Sequence, residues 1–140
     1  MSSLQPKITA EGFYELLRQQ HPFATQLDIK VIDIGHGLAT LQLPATPEHT
    51  RLGGIIAGPM LMAIADLALY AAVVGATGNP NAVTASLSIN FLRGAPPGAV
   101  TAKARILKTG RLCSGEVHLF PEDGSEVLAH AVSTWALPAR

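Results

Sequence analysis

Hydrophobic and polar positions along the chain change period several times, and each change marks an element. Phe13, Leu16 and Leu17 recur at helical spacing behind Thr9, a residue type that caps helix starts, with Glu11 in the first turn. That helix is predicted to end by His21, because the residue before a proline (Pro22) is steered away from helical backbone. Short and one-sided, it is expected to pack on the outside as a flap or cap. Leu27, Ile29 and Val31 alternate with Asp28 and Lys30, the pattern of a half-buried strand. Ile34 to Gly37 reads as a turn and Leu38 to Leu43 as the returning strand of a hairpin. Residues 44–54 form a loop that carries Glu48, His49 and Arg51.

From Gly58 to about Val74 the chain is apolar on every side, with Asp66 as its only charge. A helix of that kind is buried all round; it is predicted as a central helix over 58–75, followed by a loop to Asn81. Next, Val83, Ala85, Leu87, Ile89 and Phe91 alternate with Thr84, Ser86, Ser88 and Asn90. The second face of this strand is polar but uncharged, which points to a seam or cavity rather than to open solvent. Pro96, Pro97 and Gly98 break the chain, and strands follow over 100–106, 112–120 and 126–136, with turns at Lys108 to Arg111 and Pro121 to Gly124. Helix, two strands, long helix, four strands is an α+β order: an antiparallel sheet of about six strands wrapped around one buried helix. We expect a single domain over 1–140, with 1–21 as an N-terminal helical segment. One sheet leaves a flank of the helix bare, and a second copy closing it predicts a dimer.

Composition sharpens this picture. The 140 residues are 48% hydrophobic and 14% charged, little charge for a soluble monomer's surface, which again favours an oligomer. Ten basic and ten acidic residues cancel, which argues against nucleic acid as the main partner. A single cysteine, Cys113, makes no internal disulfide, and the N-terminus has no apolar signal core; a cytoplasmic protein is expected. The apolar stretch over 60–74 is shorter than the ~20 residues of a membrane span and holds Asp66 near its centre, so no membrane is expected. His21, His36, His49, His118 and His130 show no metal-ligand spacing, and neither a nucleophile elbow nor a phosphate-binding glycine loop is present. Neither a metal nor a cofactor is expected. Cys113, in an apolar strand, reads as an inert buried thiol.

The candidate chemistry centres on Asp66. An isolated buried carboxylate costs several kcal/mol unless it is paired, hydrogen-bonded or protonated, so the chain keeps it for a reason. The stretch around it, RLGGIIAGPMLMAIADLALYAAV, followed by AVTASLSINFLRGAPPG and KARILKTGRL, resembles the hotdog-fold acyl-CoA thioesterases, nearest to their phenylacetate-pathway (PaaI-like) branch. The likeness runs from about Pro22 to Trp135. In that branch an Asn precedes a His-Gly-Gly trio, and an acid follows on the central helix. Here Gly58 falls on the first Gly and Asp66 on the acid, while Ala57 stands at the His, Pro59 at the second Gly and Arg51 at the Asn. Thr84 falls on a small hydroxyl residue that faces the acid from the next strand. The resemblance implies a hotdog fold, with Asp66 activating water or attacking directly at a thioester carbonyl. It also implies that the Gly58 amide holds the oxyanion and that acid and oxyanion hole come from opposite subunits.

The same residues read physically in a compatible way. Thioester hydrolysis requires a base or nucleophile, donors where negative charge develops, and an apolar channel, without a metal. A helix starting at Gly58 and Pro59 offers unpaired N–H groups and the positive end of its dipole, and Pro at the first position leaves no intrahelical bond unmade. The bland alternatives are a structural carboxylate at Asp66, an ordinary helix start at Gly58 and Pro59, and a plain strand threonine at Thr84. Met62 and its apolar neighbours line either core or acyl pocket. Coenzyme A needs cations: Arg93, Lys108 and Arg111 flank turns and are the candidates for its phosphates, with plain surface as the alternative. Arg51 reads equally as a CoA contact, a partner for Asp66, or a replacement polar group beside the oxyanion. The expected partner is an acyl-CoA substrate, on a homodimer or dimer of dimers. A non-catalytic hotdog protein binding an acyl or aryl ligand is the alternative. A hydratase or dehydratase would want an Asp–His pair that the helix region lacks.

Overall fold

Thr9 caps the first helix as its sequence context predicts: its hydroxyl accepts the Gly12 amide at 3.0 Å, and α1 runs Ala10–Gln20. In the computed structural model, which describes residues 4–139, it is followed by α2 (Pro22–Gln26), β1 (Lys30–Gly35), β2 (Leu38–Leu43), a single 3-10 turn (Pro47–His49), α3 (Gly58–Thr77), β3 (Val83–Phe91), β4 (Val100–Lys108), β5 (Leu112–Phe120) and β6 (Ala129–Ala136). The first three residues of the 1–21 segment, and Arg140, lie outside the described residues. All strand pairs are antiparallel, and the six strands lie in the order β1-β2-β4-β5-β6-β3 around α3.

Alternation on the strands decides which side chains meet the helix. Leu41, Leu43, Val100, Ala102, Ala104, Val117, Leu119, Ala129 and Ala131 point inward and are buried, while Thr40, Lys103, Arg105, Glu116 and His118 occupy the outer face. The many inward alanines let α3 sit close to the sheet. The approach is tight at Gly75, where an added Cβ would lie 2.5 Å from the Gly35 carbonyl oxygen. Although α3 is long and apolar enough to cross a bilayer, 67% of its apolar window is covered by the fold, which makes it the core helix.

Several boundaries differ from expectation: β1 takes in Ile34 and Gly35 of the expected turn, β4 runs past Ile106 to Lys108, and three others shift for reasons that can be read locally. β1 begins at Lys30 rather than Leu27: Leu27 ends the unpredicted α2, and Asp28 takes φ 55°, a left-handed conformation that interrupts any strand. Leu27 and Ile29 are buried nonetheless, so their apolar character marked burial and not strand. The central helix passes through Gly75 and ends at Thr77, where Gly78 at φ 71° donates its amide to the Val74 carbonyl as a left-handed cap. β6 begins at Ala129; ahead of it Leu128 links two strands, its amide bonded to the Leu119 carbonyl and its own carbonyl accepting the Leu92 amide.

Nor is α3 buried all round within one chain. Its second half is enclosed, but Pro59, Met62, Ala63, Asp66 and Tyr70 form a stripe at helical spacing that is half-buried or exposed, with Met62 at 42%. Beside that stripe lies β3, the edge of the sheet, exposed or half-exposed along its whole length and without a charged residue or proline.

Candidate active site

Asp66 and Thr84 meet because of an irregularity in β3. Opposite residues on paired strands share a face, and Thr84 pairs with Trp135, whose side chain is buried on the helix side. Ser86, two residues on, pairs with Thr134 on the outer side. The register shift at Ala85 therefore takes Thr84 out of the outward set of Ser86, Ser88 and Asn90 and turns it toward α3. There the Thr84 hydroxyl donates to Asp66 Oδ1 at 2.7 Å. Bulges of this kind commonly re-aim a side chain next to a site. Burial pushes the Asp66 carboxyl above its ordinary range, while the Thr84 hydrogen bond and the charge of His21 pull it back down.

The carboxylate opens into a cavity of about 530 Å³. Leu16, Leu17, Gln20 and His21 from the N-terminal segment form one wall; Tyr70, Trp135 and residues 80–84 form the other. The expected flap is thus the lid of this cavity. Its far wall is rigid: the Tyr70 ring lies 5.8 Å from that of Trp135 and 5.5 Å from that of Phe13, and its hydroxyl donates to the Pro80 carbonyl at 2.6 Å. The Trp135 indole donates to Ser133 at 2.8 Å. Phe23, on α2, is exposed and is not among the cavity-lining residues. His21 was not singled out from the sequence, where it reads only as a helix end; its Nδ1 accepts the Ala24 amide at 3.4 Å and so starts α2 beside the cavity.

Gly58 lies at the other end of the site region. Eight residues before Asp66 on the same helix, it is about 12 Å away along the axis. Its Cα faces the Phe91 ring at the far end of β3, 3.6 Å from an added Cβ. The helix start is left without a side-chain cap: Ala57 occupies the cap position, its own amide bonded to the His49 carbonyl at 2.8 Å. Thr9 and Thr46, by contrast, each accept an amide hydrogen bond at the start of their own element. Pro59 has no N–H and the Met60 amide bonds the Ala57 carbonyl at 3.0 Å, so within this first turn the Gly58 amide is the donor without an intrahelical or side-chain acceptor. A second cavity of about 380 Å³, lined by Pro44, Thr46, Pro47, His49, Ile56 and Pro97, adjoins this end.

The four candidate cations divide between the two ends. Arg51 belongs with Gly58: its loop is tied to Ile55, and Ile56 to Ala95. Arg93 lies there too, its Nε 3.4 Å from Glu126 and its guanidinium bonded to the Val127 carbonyl. Lys108 and Arg111 flank the β4–β5 turn: Lys108 pairs with Ser114, and Arg111 precedes Leu112, which lies in one row with Ala136 and Val83, next to Thr84.

The sequence pattern of the thioesterase superfamily matches residues 53–128, more than half of the chain and the whole span from Arg51's loop through α3 and β3 to β5. The chain belongs to the thioesterase superfamily. Its six strands around one helix are the hotdog fold. Among relatives of this thioesterase-superfamily chain, a candidate esterase of Saccharolobus solfataricus is 27% identical over 121 residues, covering 86% of both chains. The PaaI protein of the E. coli phenylacetic acid degradation operon has the same fold, with TM-score 0.83 at 20% identity over 93% of this chain and 94% of that one. A variant of the phenylacetic acid degradation protein PaaI from Thermus thermophilus is 26% identical, with TM-score 0.75 over 84% of this chain and 99% of that one.

Proposed function

We propose that this single-domain chain hydrolyses acyl-CoA thioesters in the cytoplasm, with Asp66 as general base. The observation that carries the reading is the Asp66–Thr84 pair, a half-buried carboxylate held through one oxygen at the mouth of an aromatic-walled cavity. Thr84 fixes Oδ1, and Oδ2 takes a proton from the attacking water. The acyl group lies in the cavity against Tyr70 and Trp135. Negative charge developing on the carbonyl oxygen is met by the Gly58 amide at the uncapped start of α3.

Within one chain Asp66 and Gly58 are too far apart to serve one carbonyl, so the site is composite. Antiparallel pairing of β3 with the same strand of a second copy sets the Phe91 end of one against the Val83 end of the other. One copy's Gly58 is thereby brought toward the other's Asp66, and the exposed stripe of Pro59, Met62 and Ala63 is covered. Arg51 of the first copy and Lys108 and Arg111 of the second then gather at one mouth, where they suit the phosphates of CoA, while Arg93 braces the loop beneath. The direct test is thiol release from a panel of aryl- and alkyl-CoA thioesters. Turnover of some member is expected. Thermal stabilisation by acyl-CoA with no turnover of any member would replace this reading by that of a ligand-binding protein.

Two further results are expected. In Thr84→Val the hydroxyl that favours the ionised carboxylate is gone, so the acid limb of the pH–rate profile moves to higher pH and the neutral rate falls about tenfold. An unchanged limb would mean that Asp66 is not the titrating base. In the second experiment, Asp66→Asn and Gly58→Val chains, each inactive alone, are unfolded together and refolded. A mixed dimer carries one site with both native groups, so the mixture recovers about a quarter of wild-type activity. Recovery of none would place both groups in a single chain.

A further inference from the structure

On the outer face of the sheet, away from Asp66, a second group of side chains converges. His118 on β5 and His130 on β6 are directly opposite each other, with ring centroids 4.6 Å apart. His130 Nε2 lies 3.0 Å from Glu116 Oε1, and one ligand-capable atom from each of the three residues lies within 4.8 Å of the others. We propose that Glu116, His118 and His130 form a binding site for a divalent transition-metal ion of the zinc class.

The distances suit such an ion. Around a tetrahedral zinc with bonds of about 2.0–2.1 Å, ligand atoms sit about 3.3 Å apart, so one contact is already at that spacing and the others close by rotamer adjustment. All three residues are half-buried, and they project from adjacent strands in the middle of a six-stranded sheet, which fixes their bases. Glu116 has an orienting partner: Arg105 Nε donates to its other oxygen, Oε2, at 2.6 Å, leaving Oε1 for the ion. Lys103, opposite His118 on β4, extends over the Phe120 ring, 5.5 Å from its centroid. Two imidazoles and one carboxylate favour zinc, cobalt or nickel over magnesium or calcium, which take oxygen ligands. The fourth position faces solvent, with Asn90 across from His130 on β3. In sequence the two histidines are separated by a whole hairpin, so no ligand spacing announces them.

The test is titration of the untagged, chelator-stripped chain with zinc chloride by calorimetry near neutral pH, with cobalt chloride as a spectroscopic probe and magnesium chloride as control. One zinc per chain and a tetrahedral cobalt spectrum are expected, without heat from magnesium. His118→Gln and Glu116→Gln should each weaken zinc binding at least about tenfold while leaving circular dichroism and thiol release unchanged. Absence of zinc uptake overturns the site, as does uptake that both variants retain in full, which would place the ion at other histidines.

Discussion

Replacing Asp66 with asparagine lowers the turnover of an acyl-CoA thioester by about three orders of magnitude while the protein stays folded. Asparagine keeps the shape and still accepts the Thr84 hydroxyl, but it takes no proton from water. The stability readout separates a working carboxylate from a structural one. In the folded chain burial raises the Asp66 pKa, so the folded state accommodates the charge less readily than the unfolded state does. That penalty is absent below the ordinary carboxylate range, grows as pH rises through the window up to the folded value, and is complete above it. Asparagine escapes it, so the melting temperature of Asp66→Asn should match wild type in acid and exceed it near neutral pH. A variant that melts lower and hydrolyses as fast would identify Asp66 as a structural group. Oxygen-18 water under single turnover adds to the assignment: a general base sends the label into the released acid alone, whereas label in Asp66 requires an acyl–aspartyl anhydride opened by water at the aspartyl carbonyl.

The largest stability effect away from the site belongs to Gly75. Alanine there places a methyl group 2.5 Å from the Gly35 carbonyl and 2.9 Å from Ile34 Cγ2. The Gly35 oxygen is backbone at the end of β1 and cannot swing aside as a side chain would. Alanine's better helix propensity returns about 1 kcal/mol, but forcing α3 off the hairpin outweighs it, for a net loss of roughly 2–3 kcal/mol. Thermal denaturation should fall by on the order of 10 °C. Gly58→Ala is the contrast, since its added carbon meets Phe91 at an ordinary 3.6 Å; its melting temperature should barely move. Equal melting of Gly75→Ala and wild type would mean that helix and hairpin separate at little cost.

Local pattern carried most of the fold. Leu38–Leu43, Val83–Phe91 and Leu112–Phe120 begin and end where alternation and turn residues place them, and Thr9 starts its helix. Expectation failed where one residue's backbone outweighed its side chain. Asp28 turns left-handed inside an alternating run, and Gly75 reads as a helix breaker but serves a close contact. The candidate site was legible in part. Asp66 stood out because a charge in an apolar helix is expensive, and Thr84 through its family position. Strict alternation, however, would have set Thr84 on the outer face with Ser86 and Ser88, and no sequence period announces a bulge. His21 and the pair His118 and His130 were invisible for another reason: they gain their neighbours only when distant segments come together.

The bare edge of β3 bears on the life of a newly made chain. Its nine residues, paired with β6 on one side only, carry no lysine, glutamate or proline to repel a stranger on the other, the devices by which sheets usually guard an open side. Whatever welcomes a twin also welcomes misfolded neighbours. In the proposed dimer, finding that twin is the last step of maturation, and its speed follows abundance: scarce chains wait longest with the edge uncovered, while crowded ones run the greater risk of joining the wrong sheet.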